Sequence, residues 1–148
     1  MSGITLLIED PKWRSHRGLA ARLTQAAEAA RRSARLKGSI TILLAGDRKL
    51  RDLNHDFRGL DKPTNVLSFP ADGSHAGDIA IAYGVTARQA KAAAKNFADH
   101  AAHLVVHGVL HLAGYDHERA KDALVMEPLE VKILKRLGIA DPYAAASP

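Results

Sequence analysis

Four short β-rich runs, Thr5–Glu9, Ser39–Ala45, Val66–Phe69 and Gly77–Tyr83, are interleaved with longer helical patterns. That mixture constrains the fold more than any other feature of the chain. Short apolar runs bounded by turn residues read as strands, and apolar stripes recurring every three or four residues read as helices. Because the two do not alternate strictly, the expected class is α+β: a single-layer mixed sheet of about four strands covered by about five helices. At 148 residues, with no linker and no internal repeat, positions 1–148 are expected to form one domain.

The helical patterns have recognisable ends. Asp10-Pro11 fits an N-cap and first helical position, and the stripe Leu19, Leu23, Ala26, Ala27, Ala30, Ala34 follows, ending near Gly38. Its other face carries Arg14, Arg17, Arg22, Arg31, Arg32 and Arg35, read as a solvated face in preference to an RNA-binding stripe. Asp47 is expected to cap a helix in which Leu50, Leu53 and Phe57 share a face, with Gly59 ending it. The segment Ala71 to Ala76 reads as a mobile loop. Thr86-Ala87-Arg88-Gln89 has the form of a capping box opening a helical region towards Leu112, with a break near Asn96. From Glu118 to Leu137 the pattern is helical again. Pro128 is expected to divide it into a short helix and a new one that starts at the proline.

Composition removes several chemistries. The absence of cysteine excludes disulfides, Cys-ligated zinc and thiol catalysis, so any metal must be held by His or carboxylate. No apolar run approaches the ~20 residues of a membrane span, and a soluble cytoplasmic protein is expected. A net charge of +5 is compatible with a polyanionic partner. Aromatic residues make up only 5%, which argues against a base-stacking platform and for recognition through phosphates.

Five of the eight histidines lie between His100 and His117. Within that stretch, His107, His111 and His117 are the informative set; a pre-specified triple at these spacings arises by chance about 2% of the time. Residues i and i+4 lie on one helical face about 6 Å apart along the axis, so two imidazoles can converge on one ion. Gly114 then permits a turn that brings in His117. Three imidazoles with a fourth position open to water is the arrangement of a catalytic zinc, placed here at the end of a central helix. His103 is a rival partner for His107, but it stands about 12 Å along the axis from His111, and no turn and third His follow that pair. His100 and His103 are read as facing the surface or the core.

The spacing also matches zinc peptidases of the metzincin type, in which Glu must follow the first His as general base. Here Gly108 holds that position, and Asp116 or Glu118 are the remaining carboxylates.

This segment, His107-Gly-Val-Leu-His111-Leu-Ala-Gly114-Tyr115-Asp116-His117, resembles the signature of the YbeY family, bacterial metal-dependent endoribonucleases of rRNA maturation. Further matching blocks run through most of the chain: Leu53-Asn54, Phe57-Arg58, Asp61 to Pro70, Gly77-Asp78-Ile79, Met126-Glu127, Leu129-Glu130, Leu137-Gly138 and Asp141-Pro142-Tyr143. Two positions depart from the pattern: Asn65 stands where many members carry Asp, and Pro128 where relatives have a helix former.

The resemblance implies one zinc ion per chain, or another divalent metal, held by His107, His111 and His117. It also implies cleavage of single-stranded RNA, maturation of the 3′ end of 16S rRNA, ribosome quality control, and the small ribosomal subunit as partner. Arg58 matches the family's functional arginine. Its guanidinium can bind a phosphate through two parallel hydrogen bonds and stabilise charge that builds during cleavage. Lys62 is expected to add to RNA binding, while Asp61 and Thr64 are read as fixing their loop. The attacking group is left open between water and the RNA's own 2′-OH. Two other readings remain, a metzincin-like peptidase and a non-catalytic ribosome-assembly factor braced by a structural metal.

Overall fold

A computed structural model describes residues 3–115 and 120–143. The strands are β1 Ile4–Ile8, β2 Ser39–Ala45, β3 Val66–Pro70 and β4 His75–Ala82. They form one sheet in the order β1-β2-β4-β3, with β1, β2 and β4 parallel and β3 antiparallel to β4. The helices are α1 Leu19–Ser33, α2 Asp47–Arg58, α3 Tyr83–Ala92, α4 Phe97–Leu112 and α5 Ala120–Arg136. The expected α+β class with a four-stranded mixed sheet is what the chain forms.

Alternation along β2 and β4 divides the interior between two faces. Ile40, Ile42, Leu44, Ile79 and Ile81 join the larger core with α1, α4 and α5, where Leu23, Ala26, Ala30, Val105, Val109 and Met126 are buried. Ala45, Ala80 and Ala82 point the other way, onto Leu50 of α2 and Leu67 of β3. The small alanines let α2 lie close to the sheet. Helix α4 is apolar around most of its circumference, which makes it the central helix. Its three buried valines weaken intrinsic helix preference, and burial overrides that.

Several local expectations need correction. The capping-box reading of Thr86 fails, because α3 begins at Tyr83 directly after β4. Thr86 is therefore inside the helix, with its hydroxyl donating to the Ala82 carbonyl at 2.6 Å. The break at Asn96 is present, and Asn96 caps α4 by accepting from the Asp99 amide. Pro11–Ser15 forms a separate 3-10 turn capped by Asp10, and α1 starts only after Gly18. Asp47 is the first residue of α2, not its cap; its carboxylate accepts from the Val85 amide at 2.9 Å and from Arg88 at 2.8 Å.

The loop expected from Ala71 to Ala76 is instead the turn of a hairpin, closed by the Ala71 amide on the Ala76 carbonyl. Pro128 does not divide its helix, for α5 runs through it. A proline deprives the carbonyl four residues earlier of its bond. Here that residue is Leu124, which is 76% exposed, so water can take the place of the lost donor.

Candidate metal centre and groove

The C-terminal half of α4 lies beside β3, and between them opens a groove of about 1050 Å³. Close approach at this point depends on Gly108. A Cβ there would come within 3.0 Å of Ile79 Cγ2 and 3.2 Å of Ser68 Oγ, and Ser68 donates to the Gly108 carbonyl at 3.0 Å. Glycine thus seats α4 against the sheet and turns the neighbouring His107 and His111 to the groove. The same contact weighs against the peptidase reading, since a glutamate at 108 would be driven into β4.

His107 and His111 are brought together. Their Nε2 atoms are 3.0 Å apart and their ring centroids 4.5 Å. With metal–nitrogen bonds of about 2.0–2.1 Å and tetrahedral angles, two nitrogens on one zinc stand about 3.3 Å apart. The observed pair is within a few tenths of an ångström of that spacing. His117 lies outside the described residues, as do Asp116 and Glu118.

Behind the pair stands Glu130 of α5, fully buried. It accepts from His107 Nδ1 at 3.1 Å, from His103 Nε2 at 2.7 Å and from the Tyr143 hydroxyl at 2.8 Å. A carboxylate accepts only, so the proton of a neutral His107 sits on Nδ1 and its lone pair on Nε2, facing His111. Burial pushes the Glu130 carboxyl up. The hydrogen bonds from His103 and His107 prevail, and they hold it at about 2. Burial, and then the Glu130 carboxylate, push the Tyr143 hydroxyl far above its ordinary range, which keeps it a donor. Burial, with the neighbouring His103 adding to it, lowers His100 to about 4.

His103, His107 and Glu130 themselves form a group able to hold a metal ion, with one ligand atom of each within 4.8 Å of the others. Two sets of ligands therefore share His107. In the first, Nε2 of His107 meets Nε2 of His111 at the groove. In the second, an ion would displace two hydrogen bonds around a carboxylate that no solvent reaches.

Sequence reasoning passed over Glu130 as a site residue. Its signal was a charge on an apolar face: Met126, Glu130, Ile133 and Leu134 are the buried residues of that helical stripe. A carboxylate in such a stripe requires a partner.

Arg58 lines the groove from the last turn of α2 and is exposed; among the described residues it has no hydrogen-bond or ion-pair partner. Gly59, at φ 71°, ends the helix beside it. The loop that follows is held by Arg51 on Asp61 at 2.8 Å and by the buried Asn54 on the Lys62 carbonyl at 2.9 Å. The Lys62 side chain is exposed and does not line the groove. Phe57 departs from the expected shared face: it is 67% exposed, with its ring beside Phe69.

The profile of the family Endoribonuclease YbeY matches residues 9–138. An Endoribonuclease YbeY of Chelativorans sp. (strain BNC1) is 52% identical over 136 residues, covering 86% of this chain and 83% of the relative. Another, of Maricaulis maris (strain MCS10), is 43% identical over 153 residues, covering 100% and 96%. Among solved structures, the solution structure of TM1509 from Thermotoga maritima is similar with a TM-score of 0.62 at 25% identity. That likeness covers 96% of this chain and 99% of the other.

Proposed function

Because the chain belongs to the YbeY endoribonuclease family, we propose that it is a metal-dependent endoribonuclease that cuts single-stranded RNA in rRNA processing. We assign it to maturation of the 3′ end of small-subunit rRNA, with the small ribosomal subunit as partner and the cytoplasm as its place of action. The observation that carries the metal is the 3.0 Å approach of His107 Nε2 to His111 Nε2 at the groove. His107, His111 and His117 would hold one divalent ion, zinc by the chemistry of three imidazoles. When bound, such an ion supplies Lewis acidity at a phosphoryl oxygen and lowers the pKa of water.

The chain's own residues supply the rest. Arg58 holds the scissile phosphate through its two-pronged guanidinium and stabilises the added negative charge of the transition state. Glu130 keeps the His107 proton on Nδ1 and the ring turned to the groove. The net charge of +5, to which Lys62 contributes beside the groove, draws the phosphate chain in over long range.

Elemental analysis of the purified protein, paired with cleavage of single-stranded RNA before and after chelation, tests this reading. The expected result is one divalent ion per chain, activity lost on chelation and restored by zinc, and loss of both metal and activity in His111→Ala. Full RNase activity in a metal-free variant overturns it.

A further inference from the structure

The chain has seven aromatic side chains, and the fold divides them into two groups without remainder. Trp13, Tyr83 and Phe97 pack together, with ring centroids 5.0 to 5.5 Å apart. The other four, Phe57, Phe69, Tyr115 and Tyr143, line the groove. Low aromatic content, which argued against base stacking, is thus offset by placement.

Phe57 is the most exposed of these rings, at 67%. Helix α2 buries Leu50 and Asn54 but leaves Phe57 out, with the Phe69 ring 5.1 Å away at a tilt of 59°. The next residue is Arg58, without a hydrogen-bond or ion-pair partner among the described residues and lining the same groove. A ring and a guanidinium side by side at one groove match the two parts of a nucleotide. The base offers a flat π-face, and its phosphate takes a bidentate cation.

We propose that Phe57, backed by Phe69, is a stacking subsite for an unpaired base of the RNA whose phosphate Arg58 holds. The proposal rests on the endoribonuclease reading above and adds a selectivity device to it. Bases in a duplex are stacked on one another and closed to the ring, whereas unpaired bases are free to take it. Every base has a π-face, so the subsite selects single strands without selecting sequence.

The test uses Phe57→Ala and Phe57→Trp in the metal-loaded protein. Phe57→Ala weakens binding of a short single-stranded oligoadenylate about 5- to 150-fold, seen as a raised KM with a much smaller change in kcat. The one native tryptophan, Trp13, is 2% exposed, so the emission of Phe57→Trp reports the groove. Oligoadenylate quenches it immediately after mixing, and polyphosphate, which carries charge but no bases, does not. Equal KM for Phe57→Ala and the wild-type protein, or equal quenching by both polyanions, overturns the subsite while leaving the endoribonuclease reading in place. A wild-type protein that neither binds nor cuts single-stranded RNA overturns both.

Discussion

Glu130 on α5 accepts the Nδ1 proton of His107 on α4 at 3.1 Å, so a groove-lining imidazole is oriented from the helix behind it. Replacing the carboxylate by a carboxamide breaks this symmetry. Gln accepts from one histidine and presents an N–H to the other. Glu130→Gln is expected to lower metal affinity about 10- to 100-fold, as loss of an outer-shell partner does. Competition against a chelator of known affinity measures it, with thermal melting recorded alongside. Unchanged affinity with a lower melting temperature would reduce Glu130 to a structural role.

Arg58 is exposed and, among the described residues, unpaired, so its removal is expected to leave folding within about 0.5 kcal/mol of the native chain. Its effect is on turnover. Arg58→Ala should reduce kcat about 10²- to 10³-fold, the usual loss for one donor to a developing oxyanion. Arg58→Lys should recover only part, because an ammonium restores the charge without the two-pronged geometry. Steady-state cleavage of a defined single-stranded RNA compares the three proteins.

Gly108→Glu restores the residue that a metzincin peptidase requires, and is expected to yield no peptidase. Its Cβ would meet Ile79 and Ser68 at 3.0 to 3.2 Å. Overpacking of this kind costs about 1–3 kcal/mol, and it would lift α4 from the sheet. Denaturant melts and casein turnover read the two consequences separately; peptide hydrolysis by this variant would revive the discarded reading.

Acid should destabilise the fold through His100. Burial, reinforced by His103, lowers this imidazole from 6.5 to about 4. Between those values the unfolded chain binds the proton and the folded chain does not, so stability rises with pH across the interval. The contribution is complete above pH 6.5 and is lost as pH falls towards 4. His100→Gln, which cannot titrate, should flatten that part of the curve. Denaturation midpoints across pH 4–7 for both proteins check the slope.

Where function and fold were readable in the chain, local physics was enough. The break near Asn96 was readable because the apolar pattern changes there, and the structure adds the reason it starts a new helix: the Asn96 side chain accepts from an amide that the first turn of α4 leaves unbonded. The spacing of His107 and His111 needs only the helical repeat. Thr86 misled because a hydroxyl serves equally well at a cap or bonded back to the carbonyl four residues earlier, and only the position of β4 decides between them. Pro128 misled because its cost depends on whether water reaches the freed carbonyl, which the sequence does not state. Glu130 and Phe57 were hidden by a common cause. Each violates the pattern of its own helix, one buried and the other exposed, for the sake of the groove that other parts of the chain complete.

The bond from Tyr143 to Glu130 has a consequence for the order in which a ribosome delivers this chain. All four strands and the helix bearing His107 have been synthesised by residue 112, but the hydroxyl that braces its carboxylate is added thirty-one residues later. A nascent chain would thus hold its sheet and His107 before the tyrosine that steadies Glu130 has been made.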